Sequence, residues 1–187
     1  MGRIVVVCSV TLDGVMQAPA LPDEDLRGGF ARGGWGTPYS RDAMGRVLGQ
    51  RAGGEGGMLL GRRTYEGFAD FWPKQTDNNP YTESLNKQQK YVVSSTLEDP
   101  LPWVNSKVIG LDDIAGLKEK QDLVMLGSGQ LIRSIPELID EYILLIHPLV
   151  LGTGQQLFGG TELKLDLTDT VTTSTGVIIA TYRPANG

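Results

Sequence analysis

The stretch Met58-Leu59-Leu60-Gly61-Arg62-Arg63-Thr64-Tyr65-Glu66 changes character at its first glycine. Three consecutive apolar residues read as a strand buried on both faces. The residues from Arg62 to Phe71 read as a helix that runs until Trp72-Pro73, since proline cannot continue one. A strand that passes into a helix through a single glycine is the unit from which α/β sheets are built. Two other segments have a related form. Tyr91-Val92-Val93 leads into Ser94-Ser95-Thr96, and Leu123-Val124-Met125-Leu126 leads into Gly127-Ser128-Gly129-Gln130 and a further helix.

Upstream, Ile4 to Val10 is a β-branched run closed by Leu12-Asp13-Gly14, a core strand, and Val15 to Tyr39 is rich in Pro, Gly and acids. A long irregular stretch of that kind in a compact domain is expected to be a functional loop. Arg41 to Arg51 carries Met44, Val47 and Leu48 at helical spacing before a glycine cluster stops it. Downstream, Val108-Ile109 is a short extended piece, Asp112 to Lys120 a helix, Tyr142 to Ile146 a strand, and Leu163 to Tyr182 two alternating, Thr-rich runs suited to a hairpin. The expected fold class is α/β: three layers, α/β/α, around a mostly parallel central sheet with an antiparallel C-terminal edge hairpin, residues 1–187 forming a single domain. The hairpin and the apolar run from Ile143 to Leu151 offer an edge to a second copy, so a homodimer is expected.

The 187 residues are 40% hydrophobic with a net charge of −5, enough for a sizeable core and a poor match for nucleic acid, which selects a clustered basic face. Cys8 is the single cysteine and lies in an apolar run, where it packs as a small hydrophobe. A reducing cytoplasm is the expected compartment. No apolar run approaches the roughly 20 residues of a membrane span, so no membrane partner is expected. With His147 the only histidine, no metal site is expected, and a Ser-His-Asp triad would need His147, which has no nucleophile-elbow motif near it.

Open α/β sheets bind ligands beyond the carboxyl ends of their strands, where helix N-termini offer N–H groups to phosphate. Gly61-Arg62-Arg63-Thr64 is the most informative strand end, because it places two cations in a first helical turn, where the macrodipole disfavours them. Either an anionic ligand offsets that cost or both arginines pair with surface carboxylates. Each glycine taken alone is equally a matter of turn geometry. The chain lacks GxGxxG after its first strand and lacks GxxxxGK[ST], so the usual dinucleotide and triphosphate fingerprints are missing.

The ordered series Ser9-Val10-Thr11-Leu12-Asp13-Gly14, Gly61-Arg62-Arg63-Thr64-Tyr65-Glu66 with Phe71-Trp72-Pro73, Tyr91 to Leu97, Leu126 to Leu131 and Pro148 to Gly154 with Leu157-Phe158 resembles the dihydrofolate-reductase-like superfamily. Within it, the series is similar to the C-terminal reductase domain of bifunctional riboflavin-biosynthesis deaminase/reductases, over nearly the whole chain. The resemblance implies an NADPH-dependent oxidoreductase similar to 5-amino-6-(5-phosphoribosylamino)uracil reductase, reducing a small heterocyclic or sugar-linked substrate. It implies that Gly61, Arg62 and Thr64 hold the cofactor pyrophosphate region, with Arg63 between them a further cofactor-binding candidate, and that Ser94 and Ser95 meet the adenosine 2′-phosphate. Gly127, Ser128, Gly129, Gln130 and Leu131 would line the diphosphate and nicotinamide side, and Asp13, Gly14 and Val15 would close over the nicotinamide. Ser95 stands where many relatives place an arginine, so NADH is not excluded.

Hydride transfer also needs a group that protonates or polarises the atom gaining electron density. Asp13 is the candidate, as a carboxylate whose pKa burial would raise, or else a turn-forming residue before Gly14. Asp25, in the acidic run Pro22 to Arg27, lies where relatives grip a pteridine, or else belongs to a solvated loop. Arg27, Arg32, Arg41 and Arg46 are available for a substrate phosphate, and Phe30, Trp35 and Trp72 for a flat wall beside a heterocycle or for the core. A pterin-type reductase of another pathway and a nicotinamide-nucleotide-binding protein without turnover are the alternative readings.

Overall fold

The computed structural model describes residues 1–39, 43, 47, 56–77 and 79–185. Among these, eight strands form one sheet: β1 (Ile4–Thr11), β2 (Gly57–Gly61), β3 (Lys90–Val93), β4 (Ser106–Ile109), β5 (Leu123–Leu126), β6 (Glu141–His147), β7 (Leu165–Thr172) and β8 (Ile178–Pro184). Their spatial order is β4-β3-β2-β5-β1-β6-β8-β7. The pairs from β4 through β6 are parallel, while β8 is antiparallel to both β6 and β7. The α-helices whose bounds fall within the described residues are α1 (Arg62–Phe71), α2 (Pro80–Lys87), α3 (Asp113–Lys118) and α4 (Gly129–Ser134). The α/β class with an antiparallel edge hairpin is therefore the fold observed.

β1 is central and its alternating residues feed two different cores. Ile4, Val6, Cys8 and Val10 pack with Ile114 of α3 and Leu131 and Ile132 of α4, whereas Val5 and Val7 pack on the opposite face with Ala43, Val47, Ile143 and Leu145. A third cluster joins Met58, Leu60 and Val92 to Tyr65 of α1 and Leu85 of α2. This is why the strand runs read as continuously apolar: each side chain, on whichever face, is worth about 1.5–3 kcal/mol of burial. Ala43 and Val47 are helical; the rest of the helix expected over residues 41–51 lies outside the described residues.

α2 had no counterpart among the expected elements. Asn79 caps it, its Oδ1 accepting from the Tyr81 N–H at 3.0 Å, and Pro80 occupies the first turn, both favourable start signals. The expected edge role of Ile143 to Leu151 is corrected: β6 lies inside the sheet between β1 and β8, and the free edge on that side is β7.

The amino edge of the sheet is tied by ions. Glu141 is buried and meets Arg3 Nη2 at 2.6 Å and Arg183 Nη2 at 3.2 Å. Asp140 accepts from the Ile4 N–H at 2.7 Å and pairs with Lys118 Nζ at 2.8 Å. No helix among the described residues is long and apolar enough to cross a membrane.

Candidate functional site

Parallel pairing brings the ends of β2, β3 and β4 into one row, with Gly61 in register with Val93 and Val93 with Ile109. β5 lies between β2 and β1, so the Gly61–Thr64 and Gly127–Leu131 connections are neighbours at the carboxyl edge. One hydroxyl joins them. Ser128 Oγ accepts from the Gly61 N–H at 2.9 Å and donates to Thr64 Oγ1 at 2.8 Å.

α1 and α4 both begin at this edge, and neither has an acidic residue in its first turn. The first N–H groups of a helix lack partners within it and carry partial positive charge. Arg62 and Arg63 are exposed there. Arg62 lies 3.9 Å from Glu66, beyond hydrogen-bond distance, and Arg63 has no ion-pair partner among the described residues. Gly127 adopts φ 69° with open space around the position of a Cβ, so its backbone can be approached closely. A Cβ on Gly129, by contrast, would fall on Met16 Sδ, so the segment after β1 packs directly against the start of α4. Next in the row, Ser94 Oγ accepts from the N–H groups of Thr96 at 3.1 Å and Leu97 at 3.0 Å, which turns the chain and leaves Ser95 exposed.

The stretch from 12 to 39 is ordered by its own small core of Val15, Ala18, Phe30 and Trp35. Its hub is Gln17, which is 4% exposed. Gln17 Nε2 donates to the carbonyls of Asp25 and Arg27 at 3.1 and 3.0 Å, and its Oε1 accepts from the Gln155 N–H at 2.9 Å. Gln17 thus sews this loop to the one after β6, and nothing in its local sequence signals that task. The second loop is also held by Arg133 of α4, whose Nη1 donates to the Gln156 and Leu157 carbonyls, both at 3.0 Å.

Asp13 sits at the end of β1 and accepts from Thr11 Oγ1 at 2.5 Å, the Gly152 N–H at 2.7 Å and the Leu151 N–H at 3.2 Å. These donors, Thr11 foremost, hold its carboxyl below the usual carboxylate range, opposite to the raised pKa expected of a buried acid. Asp25 is likewise held low, chiefly by the Arg27 side chain that grips it. Arg27 is committed to that pair, and Arg32 Nη1 donates to the Leu151 carbonyl at 2.8 Å; Arg41 and Arg46 lie outside the described residues.

Phe30 and Trp35 are buried in the loop core, and Trp72 belongs to a different cluster beside α1 and α2, so the three do not form one wall. The Trp35 ring meets His147 edge-on at 5.0 Å. His147 Nδ1 is 2.9 Å from the Leu145 carbonyl and 3.3 Å from that of Val10, which places the ring hydrogen on Nδ1. Burial lowers the pKa of this imidazole, and it stays neutral at pH 7.

The model of the RibD C-terminal domain family matches residues 3–179. An uncharacterized protein of Bacillus subtilis, YyaP, is 30% identical over 139 residues, 67% of this chain and 72% of that protein. A crystal structure described as a putative riboflavin biosynthesis protein from Shewanella superposes with a TM-score of 0.69 at 22% identity, covering 98% of this chain and 99% of that one. Dihydrofolate reductase of Enterococcus faecalis, solved with NADP(H), gives a TM-score of 0.63 at 13% identity over 99% and 98% of the two chains. The Thermotoga maritima diaminohydroxyphosphoribosylaminopyrimidine deaminase/5-amino-6-(5-phosphoribosylamino)uracil reductase gives 0.63 at 13% identity, over 98% of this chain and 57% of that one. At such identities the superpositions establish the fold.

Proposed function

Because the chain belongs to the RibD C-terminal domain family, we propose that it is a nicotinamide-nucleotide-dependent reductase acting on a ribosylaminopyrimidine or a related heterocyclic imine. The observation that carries the reading is the pair of acid-free helix starts at β2 and β5, joined through Ser128 and flanked by Arg62 and Arg63. Such a surface suits a diphosphate. Gly61, Arg62, Arg63 and Thr64 would hold one side of it, and the open backbone of Gly127 with Ser128 to Leu131 the other. Ser94 and Ser95 would meet the adenosine ribose, and Asp13, Gly14 and Val15 would border the nicotinamide. Bound in its reduced form, the nicotinamide supplies a hydride.

Asp13 then has an electrostatic task. Reduction of a C=N bond is easiest in its protonated, cationic form, and a carboxylate held ionised by three donors stabilises that charge without reorganising. The proton itself comes from water, since a carboxyl with a lowered pKa is a poor donor near neutral pH. Asp13→Asn keeps an acceptor for the loop and removes the charge; kcat is expected to fall by roughly 10²- to 10³-fold.

Titration with NADPH and NADH, followed by nicotinamide fluorescence and thermal stability, tests the core of the reading, since a ligand of the folded state raises apparent stability. Saturable binding supports it, and no binding of either nucleotide overturns it. The ratio of the two affinities reports whether Ser94 and Ser95 serve a 2′-phosphate. Binding with no oxidation in the presence of ribosylaminopyrimidines or pterins would assign a binding protein instead. A homodimer through the free edge of β7 completes the proposal, and a monomeric mass at micromolar concentration would remove it.

A further inference from the structure

Ser128 has φ 67° and ψ 55°, one of three non-glycine residues with positive φ among the described residues. The left-handed region is costly for any residue with a Cβ, and a glycine at this position would adopt it without strain. What serine adds here is its hydroxyl, and both of that group's bonds go to the facing turn. Strain of this sort persists only where the surroundings enforce it, and it gathers at working sites.

The direction of the chain of bonds matters. The Gly61 N–H donates to Ser128, and Ser128 donates to Thr64, so the hydrogen of Thr64 is left to point elsewhere. Thr64 is half-buried in the first turn of α1 next to Arg62 and Arg63. A hydroxyl that has already accepted one bond is polarised as a donor, and among cations and unpaired N–H groups its natural acceptor is an anionic oxygen.

We propose that Ser128 is a positioning residue that turns the Thr64 hydroxyl into a committed donor toward a phosphate oxygen of the nicotinamide nucleotide, without touching the nucleotide itself. The inference rests on the reductase reading above and narrows it, since Ser128 leaves the set of contacting side chains and acts through Thr64.

A double-mutant cycle read by NADPH affinity tests it, with wild type, Ser128→Ala, Thr64→Val, Thr64→Ser and the two double variants. Thr64→Val is expected to weaken binding roughly 10- to 100-fold, the range for a hydrogen bond to a charged group. Ser128→Ala is expected to weaken it about three- to tenfold in the wild-type and Thr64→Ser backgrounds, and to have no further effect once Thr64 is valine. The idea is overturned if Ser128→Ala costs the same affinity with or without the Thr64 hydroxyl, or costs none in the wild type. Wild type that binds neither nucleotide would bring down the reductase reading and this inference together; wild type that binds, with additive losses, defeats this inference only. Should Ser128→Ala fail to fold, Ser128→Gly, which removes the hydroxyl and relaxes the backbone, must show the same dependence on Thr64.

Discussion

Lys90 is 0% exposed, and its ammonium is a measurable liability. Nζ donates to the carbonyls of Asn86 at 3.0 Å, Gln88 at 2.8 Å and Val104 at 3.0 Å and lies 4.2 Å from the centre of the Trp103 ring. Even so, burial lowers its pKa from 10.5 to about 8. Below pH 8 the amine is protonated in both the folded and unfolded chain, and the folded state bears the whole cost of desolvating the charge. Between pH 8 and 10.5 the unfolded chain holds more protons, so stability rises with pH. At about 1.36 kcal/mol per pKa unit, the gain is at most about 3 kcal/mol and is complete above pH 10.5. The buried hydroxyls of Tyr81 and Tyr142, each pushed up to about 12, oppose this above pH 10, so the comparison is made against Lys90→Met, which shares them. Urea unfolding of both proteins at pH 7, 9 and 10.5 should show wild type gaining on the variant across that range. A difference that stays flat would mean that the amine titrates as it does in the unfolded chain, and the reasoning would fail.

Tyr65→Phe removes the oxygen that accepts the buried Trp103 N–H at 3.1 Å; about 1–3 kcal/mol of stability should be lost, seen as a lower urea midpoint with an unchanged slope. Cys8 is buried and its thiol is pushed up to about 12, so iodoacetamide at pH 8 should label it only after unfolding, and rapid labelling of native protein would contradict its placement. Gln17→Leu strands two carbonyls and one N–H that span the two loops. Amide exchange should accelerate in residues 15–36 and 150–157 while β1 and β5 keep their protection, and uniform acceleration would show that the loops are not a separate unit.

What was legible in the chain follows the strength of the periodic signal. β1, β2 and β5 were readable because continuous apolar runs met glycine at or just past their ends, and α1 because Gly61 precedes it and Trp72-Pro73 follows it, and local pattern agreed with global burial. α2 was not, since its eight residues bury only Thr82 and Leu85 and its C-terminal carbonyls are met by Lys90 from β3. The three strand ends at the carboxyl edge could be placed from sequence, because parallel topology carries every such end to one edge. The state of Asp13 could not: after the nearby Thr11 hydroxyl, the largest cause, its low pKa draws on N–H groups at Gly152 and Leu151, contacts that only the folded chain creates. The same holds for Gln17 and Met16, which act across more than 100 residues of sequence.

The two edges of the sheet spend their charges differently. At the amino edge Arg3, Arg183 and Lys118 each face a carboxylate. At the carboxyl edge Arg63 faces none among the described residues, in a first helical turn whose dipole repels it and in a chain whose net charge is −5. Folding alone gives no reason for that arrangement, whereas an anionic ligand does. The two accounts separate on Arg63→Gln. Removing a cation from the start of α1 should raise the stability of the free protein by about 0.3–1 kcal/mol while weakening NADPH binding about tenfold, as expected for one lost charge-assisted contact. Opposite signs in the urea midpoint and in the affinity identify a charge placed for a ligand. Loss of both would mean that Arg63 serves the fold.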